Sequence, residues 1–184
     1  MRYVLIGIGV LVILVLCVAL VGWTLPKHHH VTVERAYVAT PAALFALISD
    51  VRAYPSWRSD LRKVEVLTDE GGRSRWRETS KSGGPITYVV EESVPERRLV
   101  SRIADTNLAF GGAWTYELTP IVPTATALAI TEDGDVYNPI FRFVSRFVIG
   151  HTATIDRYLD DVGKRFPEVG VASVSAPSSG SSSR

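Results

Sequence analysis

The chain has 184 residues and 46% hydrophobic residues, so one folded domain with appendages is expected, and a wholly disordered or collagen-like chain is excluded. Removing Arg2 from the 20 basic residues leaves 19, which balance the 19 acids, none of which precedes Glu34. A domain with balanced charge is a poor binder of polyanions. We therefore expect no nucleic acid partner.

The amino-terminal segment has the length and composition of a membrane span. Residues 3–25 contain no charged residue and would form a helix of about 34 Å, longer than a hydrocarbon core of about 30 Å. A cleaved signal peptide is the alternative, but the apolar run continues beyond residue 19 without the polar segment that precedes a cleavage site. We expect a transmembrane signal-anchor over residues 1–26, with the domain outside the cytoplasm because the preceding tail is short.

Metal and cofactor chemistry is not indicated. Cys17 is the only cysteine, which excludes a disulfide and a thiolate metal site within this chain. His28, His29 and His30 are adjacent, and side chains alternate in an extended segment, so the three imidazoles cannot converge on one ion. Residues 27–30 are interpreted as a linker in water. The domain has no glycine-rich phosphate loop, and no cofactor is predicted.

The soluble part begins with a strand and two short helices. Residues 31–40 are rich in β-branched and aromatic types, which predicts a strand. Thr40-Pro41 then has the pattern of a helix N-cap and first helical residue, and a second short helix within 50–60 is expected to be interrupted at Pro55. Six strand-like stretches follow, separated by glycine and proline turns at hairpin spacing, so the sheet should be antiparallel; they lie at 62–68, 73–81, 86–93, 98–104, 112–119 and 124–132.

The closing element is predicted to be one long helix. Asn138-Pro139 gives an N-cap and a first-turn proline, and one apolar stripe continues until Pro167. The predicted helix of about 29 residues would be roughly 43 Å long and could cross a whole sheet. The domain is therefore assigned to residues 31–167. Residues 168–184 are rich in serine and lack an apolar face, so we expect a disordered tail.

The order of strand, two short helices, six antiparallel strands and a long helix resembles the START-related SRPBCC superfamily, often labelled polyketide cyclase/dehydrase and lipid transport. The resemblance implies an α+β helix-grip fold, in which a curved sheet wraps around the last helix. It also implies a groove between sheet and helix that holds lipids, polyketides or other apolar ligands. The segments that carry the resemblance are Asp50…Tyr54-Pro55-Ser56-Trp57, the stretch from Phe110 to Leu118, and Ile130-Thr131-Glu132-Asp133-Gly134.

Alternation along the strands predicts which side chains face the groove. Charged residues such as Arg75, Arg77 and Glu117 fall on one face, and large apolar residues fall on the other. We predict that the inward residues of the sheet and the stripe of the last helix form the ligand site, comprising Trp76, Tyr88, Ile103, Trp114, Tyr116, Ile130, Val148, His151 and Ile155.

Three titratable residues are weak candidates for catalysis. Glu78 and Glu132 are the best inward carboxylates, since burial would raise the pKa of either and fit it for general acid or base chemistry. His151 lies beside the helical stripe and could move a proton near neutral pH, or simply bond to a strand end. Arg35 on the first strand could pair with a carboxylate or with the polar group of a ligand.

The sequence is compatible with three functions. The first is a membrane-anchored binding module that holds a lipid-like or other apolar molecule and performs no catalysis. The second is an enzyme resembling polyketide cyclases or dehydratases, in which Glu78, Glu132 or His151 moves protons. The third is a structural or interaction domain with a filled core.

Overall fold

The computed structural model describes residues 1–150 and 152–169, which contain a seven-stranded antiparallel sheet and flanking helices. The strands are β1 (His28–Tyr37), β2 (Leu61–Glu70), β3 (Arg73–Ser80), β4 (Pro85–Val94), β5 (Arg98–Ile103), β6 (Phe110–Val122) and β7 (Ala125–Val136). The helical elements are α1 (Arg2–Thr24), α2 (Pro41–Ser49), α3 (Tyr54–Trp57), α4 (Pro139–Val144), a π-helical turn (Ser145–Ile149) and α5 (Ala153–Gly163). The strand order β1-β7-β6-β5-β4-β3-β2 confirms the predicted α+β class with its antiparallel sheet.

The two short helices form where local sequence signals favour them. The side chain of Thr40 accepts a hydrogen bond from the Ala43 N–H (3.2 Å), and Pro41 is the first residue of α2, as predicted. The prediction for Pro55 was wrong, because this proline lies in the first turn of α3, where its missing N–H has no helical partner to lose. Pro55 therefore lies at the second position of this helix and does not interrupt it.

Strand β1 begins at His28, so residues 28–30 are paired backbone and do not form the expected linker. The strand aligns with β7 from His28 opposite Asp135 to Tyr37 opposite Thr126. His30 Nδ1 lies 2.6 Å from the Asp133 carboxylate, and His28 Nδ1 lies 3.4 Å from that of Asp135. These pairings with β7 explain why a polar histidine run continues the sheet.

The expected single closing helix is divided into parts. Gly150 has φ +82°, a left-handed conformation that glycine adopts readily, and it separates the π-helical turn from α5. The helix held against the sheet is therefore α5, with 11 residues in place of the predicted 29 or so. His151 lies outside the described residues. The described chain ends at Val169, whose N–H donates to Ala36 O (2.8 Å), and most of the predicted tail, 170–184, also lies outside it.

The hydrophobic core lies where α5 and α2 pack against β1, β6 and β7. Ile155, Leu159 and Val162 on α5 are fully buried, as are Leu128 and Ile130 on β7. Burying a side chain of this size stabilises a fold by about 1.5–3 kcal/mol.

Arg35 on β1 stabilises the packing of α5 against the sheet by ion pairs at the edge of the core. Its guanidinium donates to the carboxylates of Asp156 (3.3 Å) and Glu168 (3.2 Å), and also to Asp160. Arg35 therefore links strand to helix.

The apolar helix α1 is long enough to cross a membrane and packs its last turn against α4. Within the described residues it is the one helix with that length and composition, which suit either a single-pass anchor or a signal sequence. Gly22 is its one buried residue, and a Cβ at this position would overlap the carbonyl of Pro139. The buried guanidinium of Arg142 donates to Leu25 O (2.9 Å) and Tyr137 O (3.2 Å), which holds the end of α1 against the domain.

Replacing Gly22 by leucine is expected to separate α1 from α4, because the new side chain has no space beside Pro139. Amide hydrogen exchange of residues 139–144, measured by mass spectrometry on the full chain in nanodiscs, should become faster. Gly7→Leu is the matched control, since a Cβ at Gly7 meets nothing within 4 Å. Equal exchange in the two variants would contradict the described contact.

Candidate ligand cavity

A cavity of about 570 Å³ lies on the inner face of the sheet, between the strand ends and the segment that contains α4 and the π-helical turn. Strands β3 to β7 supply most of its wall, because alternate residues of each strand face inward. Its lining includes Arg58, Leu61, Trp76, Glu78, Tyr88, Ser101, Ile103, Phe110, Trp114, Tyr116, Glu132, Val136, Phe141 and Thr154.

Six aromatic residues contribute to the cavity wall. The rings of Trp76 and Tyr88 are stacked with centroids 5.4 Å apart and planes at 17°, as expected for residues directly opposite each other on β3 and β4. Trp114 and Tyr116 follow on β6, with ring centroids 6.1 Å apart. Burial raises the pKa of Tyr88 and of Tyr116 well above the ordinary phenol value. Both therefore remain neutral hydroxyls that can hydrogen-bond to a ligand.

One end of the cavity is polar and centres on Arg58, which directly follows α3. Nη1 of Arg58 lies 3.1 and 3.0 Å from the two oxygens of Glu78, and its Nη2 donates to Asp60 (2.8 Å). The indole N–H of Trp76 also donates to Glu78 (2.8 Å). The guanidinium lies 5.2 Å from the ring centre of Tyr54, a cation–π contact. We call Arg58, Asp60 and Glu78 the charged cluster.

In the charged cluster, the guanidinium of Arg58 is the shared counter-ion of two carboxylates. Burial raises the pKa of the Glu78 carboxyl above its usual value, although the positive charge of Arg58 and the Trp76 hydrogen bond act in the opposite direction. Burial alone would lower the pKa of Arg58, but the negative charges of Glu78 and Asp60 outweigh this effect. The net pKa is raised, so Arg58 stays protonated. Glu78 thus takes up a proton more readily than a glutamate in water does.

A second polar group lies on the β1–β7 side of the cavity. Nε2 of His29 lies 3.2 Å from the Glu132 carboxylate, and both side chains are mostly buried, with 17% and 23% exposed. A Cβ at Gly134 would overlap the imidazole, so only glycine leaves room for His29 there. This pair can hydrogen-bond to a ligand, since a neutral imidazole has one donor and one acceptor nitrogen and a carboxylate accepts.

Helix α4 contributes one side of the cavity wall. Phe110 at the start of β6 stacks on Phe141 of α4, with ring centroids 6.0 Å apart and planes at 17°. Ser145 and Gly150 also line this side of the cavity. Since α4 also contacts the end of α1, this side of the cavity lies next to the apolar helix.

The structure brings together most of the residues predicted for the ligand site. Those that line the cavity are Trp76, Tyr88, Ile103, Trp114 and Tyr116, and the catalytic candidates Glu78 and Glu132 line it as well. Ile130 and Ile155 are instead fully buried in the core, because β7 and α5 meet face to face there, so their placement in the site is corrected. His151 and the side chain of Val148 lie outside the described part of the chain. Arg35 bonds to α5 on the outside of the core.

Sequence reasoning missed Arg58, Asp60 and His29. Arg58 and Asp60 lie in a loop without periodicity, and their partner Glu78 is on another element, so no local signal pointed to them. His29 was assigned to the linker. Extending the alternation of β1 back to residue 28 would have placed His29 on the same face as Val31 and Val33, which pack against the core.

Comparison with known families gives one match across most of the domain. A family model described as polyketide cyclase / dehydrase and lipid transport matches residues 28–165. A search of the curated proteins finds no significant match.

Solved structures with a similar fold have low sequence identity. A START superfamily protein from Mycobacterium smegmatis has a TM-score of 0.61 at 17% identity, covering 74% of this chain and 96% of its own. The Zhui aromatase/cyclase from Streptomyces sp. R1128 has a TM-score of 0.57 at 17% identity, with 75% and 95% covered. Norcoclaurine synthase from Thalictrum flavum, in complex with dopamine and hydroxybenzaldehyde, has a TM-score of 0.60 at 13% identity, with 75% and 86% covered. At these identities the likeness establishes the fold alone.

Proposed function

Because the chain belongs to the polyketide cyclase/dehydrase and lipid transport family, we propose that it is a membrane-anchored module that holds a lipid-like or other apolar small molecule in its cavity. The observation that carries the proposal is the cavity of about 570 Å³ that the aromatic residues of the sheet line. Ligand pockets commonly measure about 300–1,000 Å³ and combine an apolar wall with a few polar groups. The cavity also disfavours the hypothesis of a domain with a filled core.

Two contacts support retention of α1 as an anchor. Gly22 packs directly on Pro139, and Arg142 donates to the carbonyl of Leu25 at the end of the helix. Cleavage would remove these partners from α4 and expose its apolar surface, whereas a retained helix keeps the α4 side of the cavity close to the bilayer. An apolar ligand dissolved in the membrane then reaches the cavity over a short path. The proposal includes an extracytoplasmic position for the domain.

Blocking the cavity should abolish binding without disturbing the core. In Ile103→Trp the larger ring enters the cavity from β5, so saturable binding of the neutral probe 2-(2-naphthyl)ethanol to the full chain in nanodiscs should be lost. Isothermal titration calorimetry measures the binding after subtraction of empty nanodiscs. Thr119→Trp, at an exposed position of β6 outside the cavity, is the control and should bind as the parent chain does. Equal binding by Ile103→Trp would contradict the proposal.

A second candidate function is a cyclase- or dehydratase-like enzyme, and the charged cluster favours it. Glu78 has a raised pKa and faces the cavity, as a general acid or base requires. The two candidates differ in the effect of Glu78→Gln: an enzyme would lose turnover of its substrate by about 100-fold or more while still binding it. A binding module would show no turnover in either form.

A further inference from the structure

We propose that the cavity selects apolar molecules that carry a protonated amine, with the carboxylates of Glu78 and Glu132 as its polar contacts. This inference rests on the proposed function, because it assigns a chemical class to the ligand of the same cavity. It follows from the balance of charge on the cavity wall and from the type of ring that surrounds that charge.

The side chains that face the cavity carry more negative than positive charge. Asp60, Glu78 and Glu132 contribute carboxylates, and Arg58 and His29 are the cationic or potentially cationic groups among the described lining residues. When all three carboxylates are ionised, an excess of at least one negative charge remains, even with a protonated His29. Asp135 also belongs to the lining, but its carboxylate lies against His28 on the other face of the sheet.

The excess charge is located where water screens it poorly. The side chains of Glu78, Arg58 and Asp60 are 8%, 10% and 22% exposed. A buried negative charge without its own counter-ion is costly, and each charge interacts more strongly at low dielectric than in water. A proton on Glu78 reduces this cost, and burial favours that proton because it raises the pKa of the carboxyl. A cationic group on a ligand would take the place of that proton.

The aromatic wall favours the same class of ligand. Trp76 and Tyr88 are stacked beside Glu78, and Trp114 lines the cavity from β6. The faces of such rings attract ammonium groups by about 0.5–2 kcal/mol, depending on how far the cation is desolvated. Fatty acids and other apolar anions would meet the excess negative charge and should be rejected.

Three probes that share one apolar body isolate the effect of charge. They are 2-(2-naphthyl)ethylamine, 2-(2-naphthyl)ethanol and 3-(2-naphthyl)propanoic acid, titrated calorimetrically into the full chain in phosphatidylcholine nanodiscs, with empty nanodiscs subtracted. We expect the amine to bind at least about tenfold more tightly than the alcohol, and the acid to show no saturable binding. An alcohol that binds as tightly as the amine would overturn the amine assignment while leaving the proposed function intact. No saturable binding by any probe would overturn both.

Variants then identify the carboxylates. Glu78→Gln and Glu132→Gln should each reduce the ratio of amine to alcohol affinity by about threefold or more. Glu117→Gln on the outer face of β6, half exposed, should leave the ratio unchanged. Using two separate sites keeps the assignment testable if Glu78→Gln does not fold. An unchanged ratio in every folded variant would overturn the role of Glu78 and Glu132.

Discussion

Replacing Arg58 by alanine is expected to destabilise the domain by about 3–5 kcal/mol, because the change leaves two carboxylates without their shared cation. Arg58 bonds to both Glu78 and Asp60, and its side chain is 10% exposed. The variant also removes the cation–π contact with Tyr54. Urea denaturation followed by circular dichroism, on the full chain in detergent, measures the free energy of unfolding.

Arg98→Ala is the matched control for Arg58→Ala. Arg98 also pairs with two carboxylates, those of Glu92 and Glu117, but its side chain is 37% exposed and the partners are about half exposed. Exposed pairs of this kind contribute about 0–1 kcal/mol, so the control should remain close to the parent in stability. Similar losses in the two variants would contradict the assignment of Arg58 to a buried charged cluster.

Replacing Ile155 by alanine is expected to cost about 2–5 kcal/mol, because the side chain is fully buried among tightly packed neighbours. The alternation and stripe patterns predicted that Ile155 lines the ligand site, in which case its removal would only enlarge an existing space. Ile103→Ala provides that comparison, since Ile103 faces the cavity and is partly exposed. We expect the Ile103 variant to lose less than about half as much stability.

Urea denaturation of the two variants decides which isoleucine is packed in the core and which one faces free space. A large loss for Ile155→Ala with a small loss for Ile103→Ala places the core under α5 and the free space beside β5. Equal losses at the two positions would indicate that the space beside Ile103 is filled.

Much of the fold could be predicted because its signals are local. The Thr40-Pro41 cap defines the start of α2, and hairpin turns at glycine and proline define the strands. Alternation also placed Trp76, Tyr88 and Trp114 on the cavity wall, since a strand turns successive side chains to opposite faces.

The start of β1 was missed because its partners are distant in sequence. His30 pairs with Asp133, a separation of 103 residues, and no neighbouring residue indicates this contact. The break at Gly150 was missed for another reason. An apolar stripe runs through 141–166, but its first part packs beside α1 and its second part packs on the sheet. One continuous pattern therefore described two surfaces with different partners.

The sequence patterns predicted the aromatic residues of the cavity wall, but they did not predict the cationic side chains that pair with its carboxylates. Inward aromatic residues follow from periodicity, whereas the charged cluster joins a loop after α3 to the middle of β3. Arg58 and Glu78 are 20 residues apart and lie together only in the folded chain. The sequence did identify Glu78 and Glu132 as inward carboxylates, and the structure adds Arg58 and His29 as their partners.

The most direct test of the central claim is native mass spectrometry of the full chain purified in a mild detergent. The account predicts a bound species of small-molecule mass that is released on activation, extracts into organic solvent, and is absent from Ile103→Trp purified in the same way. Detection of the same species on Thr119→Trp would confirm that the loss is specific to the cavity. A parent chain that carries no such molecule, or an equal amount on Ile103→Trp, would contradict the account.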